Sequence, residues 1–161
     1  MQFAEAFGKK FAENKDLIRI RTFELGNHNF KVKVPLTSEY EAMIEKLKIP
    51  NEIKVAEYYE ELTKEFVKRK EEMTDDLGIV FKDDDIEIQG RSMKEAATNK
   101  ALTEFRILEM FKLLVPEEQG FDMNTITYEM IEELFPFSIQ IELIEKISET
   151  ISPNYKDIRG K

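Results

Sequence analysis

The chain contains no cysteine, no tryptophan and a single histidine, with six glycines and five prolines among 161 residues. Without cysteine there is no disulfide framework, no thiolate zinc site and no cysteine nucleophile. Serine–histidine–aspartate catalysis would have to run through His28, and no nucleophile-elbow motif accompanies it. The glycines are scattered and form neither G-x-x-x-x-G-K-[ST] nor G-x-G-x-x-G, so no phosphate-cradling loop is present. No apolar run approaches the roughly 20 residues that cross a bilayer. The opening stretch, "MQFAEAFGKKFAENK", carries charges throughout and lacks a signal-like apolar core, so a cytoplasmic protein is expected.

What the chain does have is acid. Thirty-three Asp and Glu against 24 Lys and Arg give a formal net charge of -9. An acidic surface disfavours non-specific binding to nucleic acid, which needs clustered cations to displace counterions from phosphates. It equally disfavours anionic lipid surfaces, so neither nucleic acid nor membrane is an expected partner. The 42% hydrophobic share is enough for a real core. Length alone suggests one globular domain, here taken as residues 1–153, followed by a flexible polar tail at 154–161.

The periodicities predict a mainly α, α+β protein: an N-terminal β-hairpin followed by a multi-helix body. Phe3, Phe7 and Phe11 recur at four-residue spacing, which puts the three rings on one helical face. The preferred reading is that they cap the core, with a partner-binding arm as the alternative. Residues 17–36 alternate with a period of two on either side of Gly26-Asn27-His28-Asn29, which predicts a hairpin. A phase shift at Thr22-Phe23 predicts a bulge. Arg19, Arg21, Lys31 and Lys33 are expected on its outer, solvated face; a docking patch for nucleic acid or an acidic protein is the alternative.

Further on, Ser38 and Glu41 suggest a capping box for a helix with Tyr40, Met43, Ile44 and Leu47 on one face. Asn51 should cap a longer helix from Ile53 to Met73, striped by Ile53, Ala56, Tyr59, Leu62, Phe66 and Val67. The runs Ile79–Phe81 and Ile86–Ile88 predict a small hairpin or an ordered loop. Ser92 and Glu95 form a second capping-box signature, opening a helix to about Val115 with Met93, Ala97, Ala101, Phe105 and Leu108 along its stripe. A short helix over Thr125–Leu134 and a last one from Phe137, lined by Ile141, Ile144, Ile147 and Ile151, complete the body.

The acidic run Asp83-Asp84-Asp85 is the one candidate cation site. Aligned as an EF-hand loop, Asp85, Glu87, Gln89 and Gly90 fall at positions one, three, five and six, but Ala96 stands where the bidentate glutamate belongs. A solvated turn is therefore expected, with neither metal nor cofactor. The amphipathic signal is stronger: "LFPFSIQIELIEKI" sets Phe135 and Phe137 around a proline and follows them with a wide apolar stripe. Such a stripe must be covered by its own chain or by another. Burial in the chain's own core is the first expectation, and a partner groove built on Phe135, Phe137, Ile141 and Ile144 the second. Six internal methionines add adaptable apolar surface.

Across its length the chain resembles the tail assembly chaperones of long-tailed bacteriophages. The likeness rests on an acidic, cysteine-free chain of this size, the hairpin Leu17–Leu36, the helical body and the polar tail. The ending adds a further point, since Arg159-Gly160-Lys161 can be encoded as G GGA AAA, on which two tRNAs can re-pair after slipping back one nucleotide. Programmed slippage of that kind makes a longer product in this family. The resemblance implies a protein that is not an enzyme, that binds the tape measure protein, keeps it soluble and recruits tail tube protein. It leaves monomer and homo-oligomer both open. A small acidic adaptor that binds one folded partner is the alternative; a metal-dependent enzyme using the acidic loop stands behind both.

Overall fold

The computed structural model describes residues 1–72 and 78–153. The expected tail at 154–161 and the expected end of the second helix at Met73 lie outside the described residues. Helices dominate, with two small antiparallel sheets, so the α+β class and the N-terminal hairpin are both present. Two compact units divide the chain: Met1–Ala42 together with the chain from Ile107 onward, and Met43–Arg106.

In the first unit, strands β1 (Ile20–Leu25) and β2 (His28–Lys33) pair from Ile20↔Lys33 to Leu25↔His28. The turn needs only two residues, Gly26 and Asn27, at φ 59° and 63°. Two consecutive positive φ values give a turn whose twist matches the strands it joins. The ladder runs through Thr22 and Phe23 without interruption, so the expected bulge is absent. Leu17 and Ile18 belong to a 3-10 segment, Lys15–Arg19, and not to the strand, and the phase shift reflects Ile20 lying on the face opposite Phe23.

A third strand, β6 (Leu114–Val115), pairs with β2 through Lys31↔Val115 and Val32↔Leu114. Sequence periodicity extends the preceding helix over these residues. In the structure helix α4 (Met93–Phe111) stops first, and the Leu113 carbonyl accepts from the Lys33 N–H at 2.9 Å. Helices α5 (Tyr128–Leu134) and α6 (Phe137–Ile151) follow. Thr127 caps α5, its hydroxyl accepting from the Met130 N–H at 3.3 Å. The core of this unit gathers Val32, Ile107, Phe111, Ile131, Leu143, Ile144 and Ile147.

Two polar residues go into that core with their bonds made. Gln140 donates to the Phe135 carbonyl at 2.9 Å and accepts from the Tyr128 hydroxyl at 2.8 Å. Thr150 donates to the Lys146 carbonyl at 2.7 Å. A buried amide or hydroxyl is tolerated only when so satisfied. Because both are, the buried face of α6 centres on Gln140, Leu143, Ile144, Ile147 and Thr150, not on a line through Phe137.

The second unit is built on helix α3 (Glu52–Lys68), capped as expected by Asn51, whose side chain accepts from the Ile53 and Lys54 N–H groups at 3.0 and 3.2 Å. Its buried face is rotated from the expected stripe. Val55 and Thr63 are buried, with Tyr58, Tyr59 and Phe66 half-buried, while Ile53 and Val67 face solvent. Thr63 can enter because its hydroxyl donates to the Tyr59 carbonyl at 2.7 Å. Val55 and the Tyr58 and Tyr59 rings pack on Ala97 and Ala101 of α4; small residues there let bulky partners approach. Strands β3 (Ile79–Phe81) and β4 (Ile86–Ile88) form the expected hairpin, extended by β5 (Arg91–Ser92).

Helix α2 (Thr37–Leu47) has its cap two residues earlier than the expected box. The Glu39 carboxylate accepts from the Leu36 N–H at 2.8 Å, so the reciprocal half of a capping motif forms without Ser38 and Glu41. Among the described residues no helix is long and apolar enough to cross a membrane.

Candidate functional site

The basic cluster of the hairpin does not form one face. Directly paired residues share a face, and Arg21 pairs with Val32 while Thr22 pairs with Lys31. Arg21 therefore stands on the buried side with Val32, and Lys31 and Lys33 stand on the other, while Arg19 precedes the strand and meets Asp16, as Lys33 does. Both arginines are engaged within the chain. Arg21 donates to the Thr150 and Ser152 carbonyls at 2.7 and 3.0 Å, closing the C-terminal end of α6. A cation is well placed there, since the last carbonyls of a helix are unsatisfied and carry partial negative charge. Arg19 donates to the Val34 carbonyl at 2.8 Å and pairs with Glu39. The two arginines of the expected solvated face are thus structural braces, while Lys31 is exposed as expected. The Leu36 N–H, with help from Arg19, holds the Glu39 carboxyl below its usual range against the opposing pull of burial.

The acidic loop is organised around one residue. Asp85 accepts from the Ile86 N–H at 2.7 Å, from the Lys94 N–H at 3.0 Å and from the Ser92 hydroxyl. Ser92 in turn accepts from the Glu95 N–H at 3.0 Å. Together they cap the start of α4, as the Ser92 signature anticipates, with Asp85 as the unexpected second member. Burial pushes the Asp85 carboxyl up, but the three donors outweigh it and hold it below the ordinary range. Glu87 is paired with Lys82, and Asp84 lies 3.5 Å from Lys94. Among the described residues no group of three or more acidic, histidine or cysteine side chains is placed to hold a metal ion.

His28 opens β2, its ring edge-on to Phe30 with centroids 4.6 Å apart. It borders a cleft of about 200 Å³ lined also by Lys31, Leu114, Pro116, Glu117 and Met123. That lining offers no hydroxyl or thiol nucleophile beside the imidazole.

The four residues expected to form a partner groove are separated by the fold. Ile144 is 2% exposed and belongs to the core. Phe135 is half-buried, its ring edge-to-face with Phe111 at 5.7 Å, and Ile141 is also half-buried. Phe137 alone is on the surface, at 55% exposure. It has company that the periodicity did not single out: Leu134 at 72% and Met130 at 43%. Met130 and Leu134 sit one helical turn apart on α5 and so share a face. Glu132 and Glu133 are exposed on the same short helix. Three exposed apolar side chains thus fall within a short stretch at the junction of α5 and α6, beside two exposed glutamates.

The N-terminal segment is the second such feature. A 3-10 turn over Phe3–Phe7 and helix α1 (Lys9–Glu13) stack the rings in succession, Phe3 on Phe7 at 5.3 Å and Phe7 on Phe11 at 5.4 Å, both edge-to-face. The helical spacing is as expected, but the core-capping role is not. Phe3 is 82% exposed and Phe7 62%. The break at Gly8, with φ +101°, limits the segment to two short pieces whose rings lie against one another.

No protein-family model matches the chain, and no curated protein or solved structure matches it.

Proposed function

We propose that this chain is a tail assembly chaperone of the long-tailed bacteriophage type. In the host cytoplasm it covers the apolar seams of a helix-rich tape measure protein and helps to bring tail tube subunits to it. The observation that supports this reading is the patch of Met130, Leu134 and Phe137 set on an acidic surface. An exposed helical seam gains from burial at about 25 cal/mol per Å² of apolar area removed from water. A patch of three side chains gives each copy a modest share of that energy, so contacts are individually weak and exchangeable. Many copies along one rod lower the concentration of exposed client by mass action. The net charge of -9 keeps the coated complex dispersed. Exchangeability is what tube subunits need if they are to displace the coat. This work calls for no cofactor and no catalytic group.

Co-expression with the tape measure protein of the same genome tests the proposal. The expected result is a soluble client carrying several copies of this chain, and loss of both solubility and copies with Leu134→Glu/Phe137→Glu. A client that stays insoluble beside folded wild-type protein would overturn it. One copy on one folded partner would favour the adaptor reading instead. Mass spectrometry of the product of the natural gene adds an independent check, through a minor species that continues past Lys161 in a shifted frame.

A further inference from the structure

We infer that the outer face of α6, with the exposed side chains of α5, docks a basic amphipathic segment of the client protein; this rests on the proposed role of that junction and gives its partner a chemistry. Charge is divided sharply here. Residues 117–149 hold nine Asp and Glu against one lysine, Lys146. All nine acids are exposed, whereas Lys146 is half-buried. Glu142, Glu145 and Glu149 follow one another at steps of three and four, so they form one stripe along the helix. It lies opposite the buried line of Leu143, Ile144 and Ile147. Phe137 and Ile141 lead into the stripe at four-residue spacing to Glu145, which sets apolar surface beside it.

The stripe does not serve the helix that carries it. Carboxylates three and four residues apart repel one another on a helix. Helix stability favours acids in the first turn and cations in the last. Helix α6 has neither an acid in its first turn nor a base in its last. Glu149 stands at the negative end, where Arg21 supplies the cation from β1. A row of lysine or arginine side chains from a partner relieves that repulsion, and its apolar residues meet Leu134 and Phe137, 72% and 55% exposed. Phosphate-bearing partners are repelled by the same stripe. The N-terminal segment of the chain is no match for it, because residues 1–18 hold three lysines against three acids. Arg19 and Arg21 are already engaged within the chain. The occupant is therefore a cationic segment of a different protein, steered in by charge before the apolar contacts close.

Fluorescence anisotropy of two synthetic amphipathic helical peptides, titrated with the full chain, is the test. One peptide is built of leucine and lysine; the other has glutamate in place of every lysine. The expected result is binding of the lysine peptide alone, weakening as salt shortens the range of charge interactions to about 3 Å at 1 M. Glu142→Lys/Glu145→Lys should weaken it about tenfold, since two attractions become two repulsions. Glu132→Lys/Glu133→Lys, a second reversal on another helix, and Leu134→Ser/Phe137→Ser should each weaken it as well. Glu60→Lys/Glu61→Lys on α3 changes the net charge by the same amount and should leave affinity within about twofold. Circular dichroism of each variant confirms that the fold is kept. Equal binding of the two peptides, no binding of the lysine peptide, or equal weakening by the α3 reversal overturns the inference. A tape measure protein kept as soluble by Glu142→Lys/Glu145→Lys as by the wild type also overturns it, and leaves the chaperone reading standing. Peptide binding as expected beside an insoluble client upholds it and overturns the chaperone reading instead.

Discussion

Phe3, Phe7 and Phe11 recur along the N-terminal segment at a spacing also found between Leu143 and Ile147 in α6. Yet Phe3 and Phe7 are 82% and 62% exposed, while Leu143 and Ile147 are fully buried. The same periodic signal has opposite fates. Length is one reason: α6 runs for fifteen residues, whereas α1 has five and is cut from the preceding turn at Gly8. A segment that short has little stability of its own. Satisfaction of polar groups is the other reason. Gln140 and Thr150 enter with their hydrogen bonds made, which lets a wide face of α6 turn inward. Amphipathic spacing establishes that a face wants cover; it does not establish who covers it.

The comparison can be broken most forcefully from the buried side. Leu143→Ala should cost about 2–5 kcal/mol, the range for a large aliphatic side chain removed from a packed core, and a urea melt followed by circular dichroism measures it. Next comes the brace at the end of the helix. Arg21→Met leaves the Thr150 and Ser152 carbonyls without their cation and should cost about 1–3 kcal/mol, with hydrogen exchange accelerated at the last turn of α6. The cap in the second unit gives a smaller effect that depends on pH. Asp85→Ala should cost about 1 kcal/mol at neutral pH. The Asp85 and Glu39 carboxyls both lie below their ordinary range in the folded state. Their stabilisation is therefore complete above the unfolded value near 4 and is lost as pH falls through the lower folded values. Acid melts of Asp85→Asn should accordingly fall less steeply over that window than those of the wild type. Smallest of all, Phe7→Ser should shift stability by no more than about 0.5 kcal/mol. A large loss there would place the ring in the core and erase the contrast with α6.

Sequence reading recovered what local chemistry dictates. The Asn51 cap, the Gly26-Asn27 turn, the hairpin at Ile79–Ile88 and the Ser92 helix start all announce themselves within a few residues. It missed what is decided by partners distant in sequence. Leu114 and Val115 continue a helical pattern and become strand only because β2 offers an open edge. Arg21 reads as a solvent-facing charge and turns inward because helix carbonyls 129 residues away wait for it. Gln140 and Thr63 look polar and are buried because two hydrogen bonds satisfy the one and a single bond the other. For the candidate site the sequence singled out the junction of α5 and α6, where the fold separates the four named residues. Only Phe137 of the four expected residues is on the surface. Leu134 stands three residues from Ile131, the buried residue of the short helix, so helical spacing alone gave no sign that it would be exposed.

The first unit is discontinuous in sequence, and that has a consequence for how the protein is made. A ribosome releases the hairpin first, then the whole of Met43–Arg106, and only afterwards β6, α5 and α6. At about 5–20 residues per second, the inserted unit has up to about two seconds before the third strand exists and several before the last helix does. Through that interval the nascent hairpin presents an unpaired β2 edge and a side chain, Arg21, whose carbonyl partners have not been synthesised. The last bonds of the first unit to close are those that join α6 to β1, after the inserted unit has been synthesised. Nascent chains stalled before and after β6 has emerged should show the outer edge of β2 protected from exchange only in the longer one.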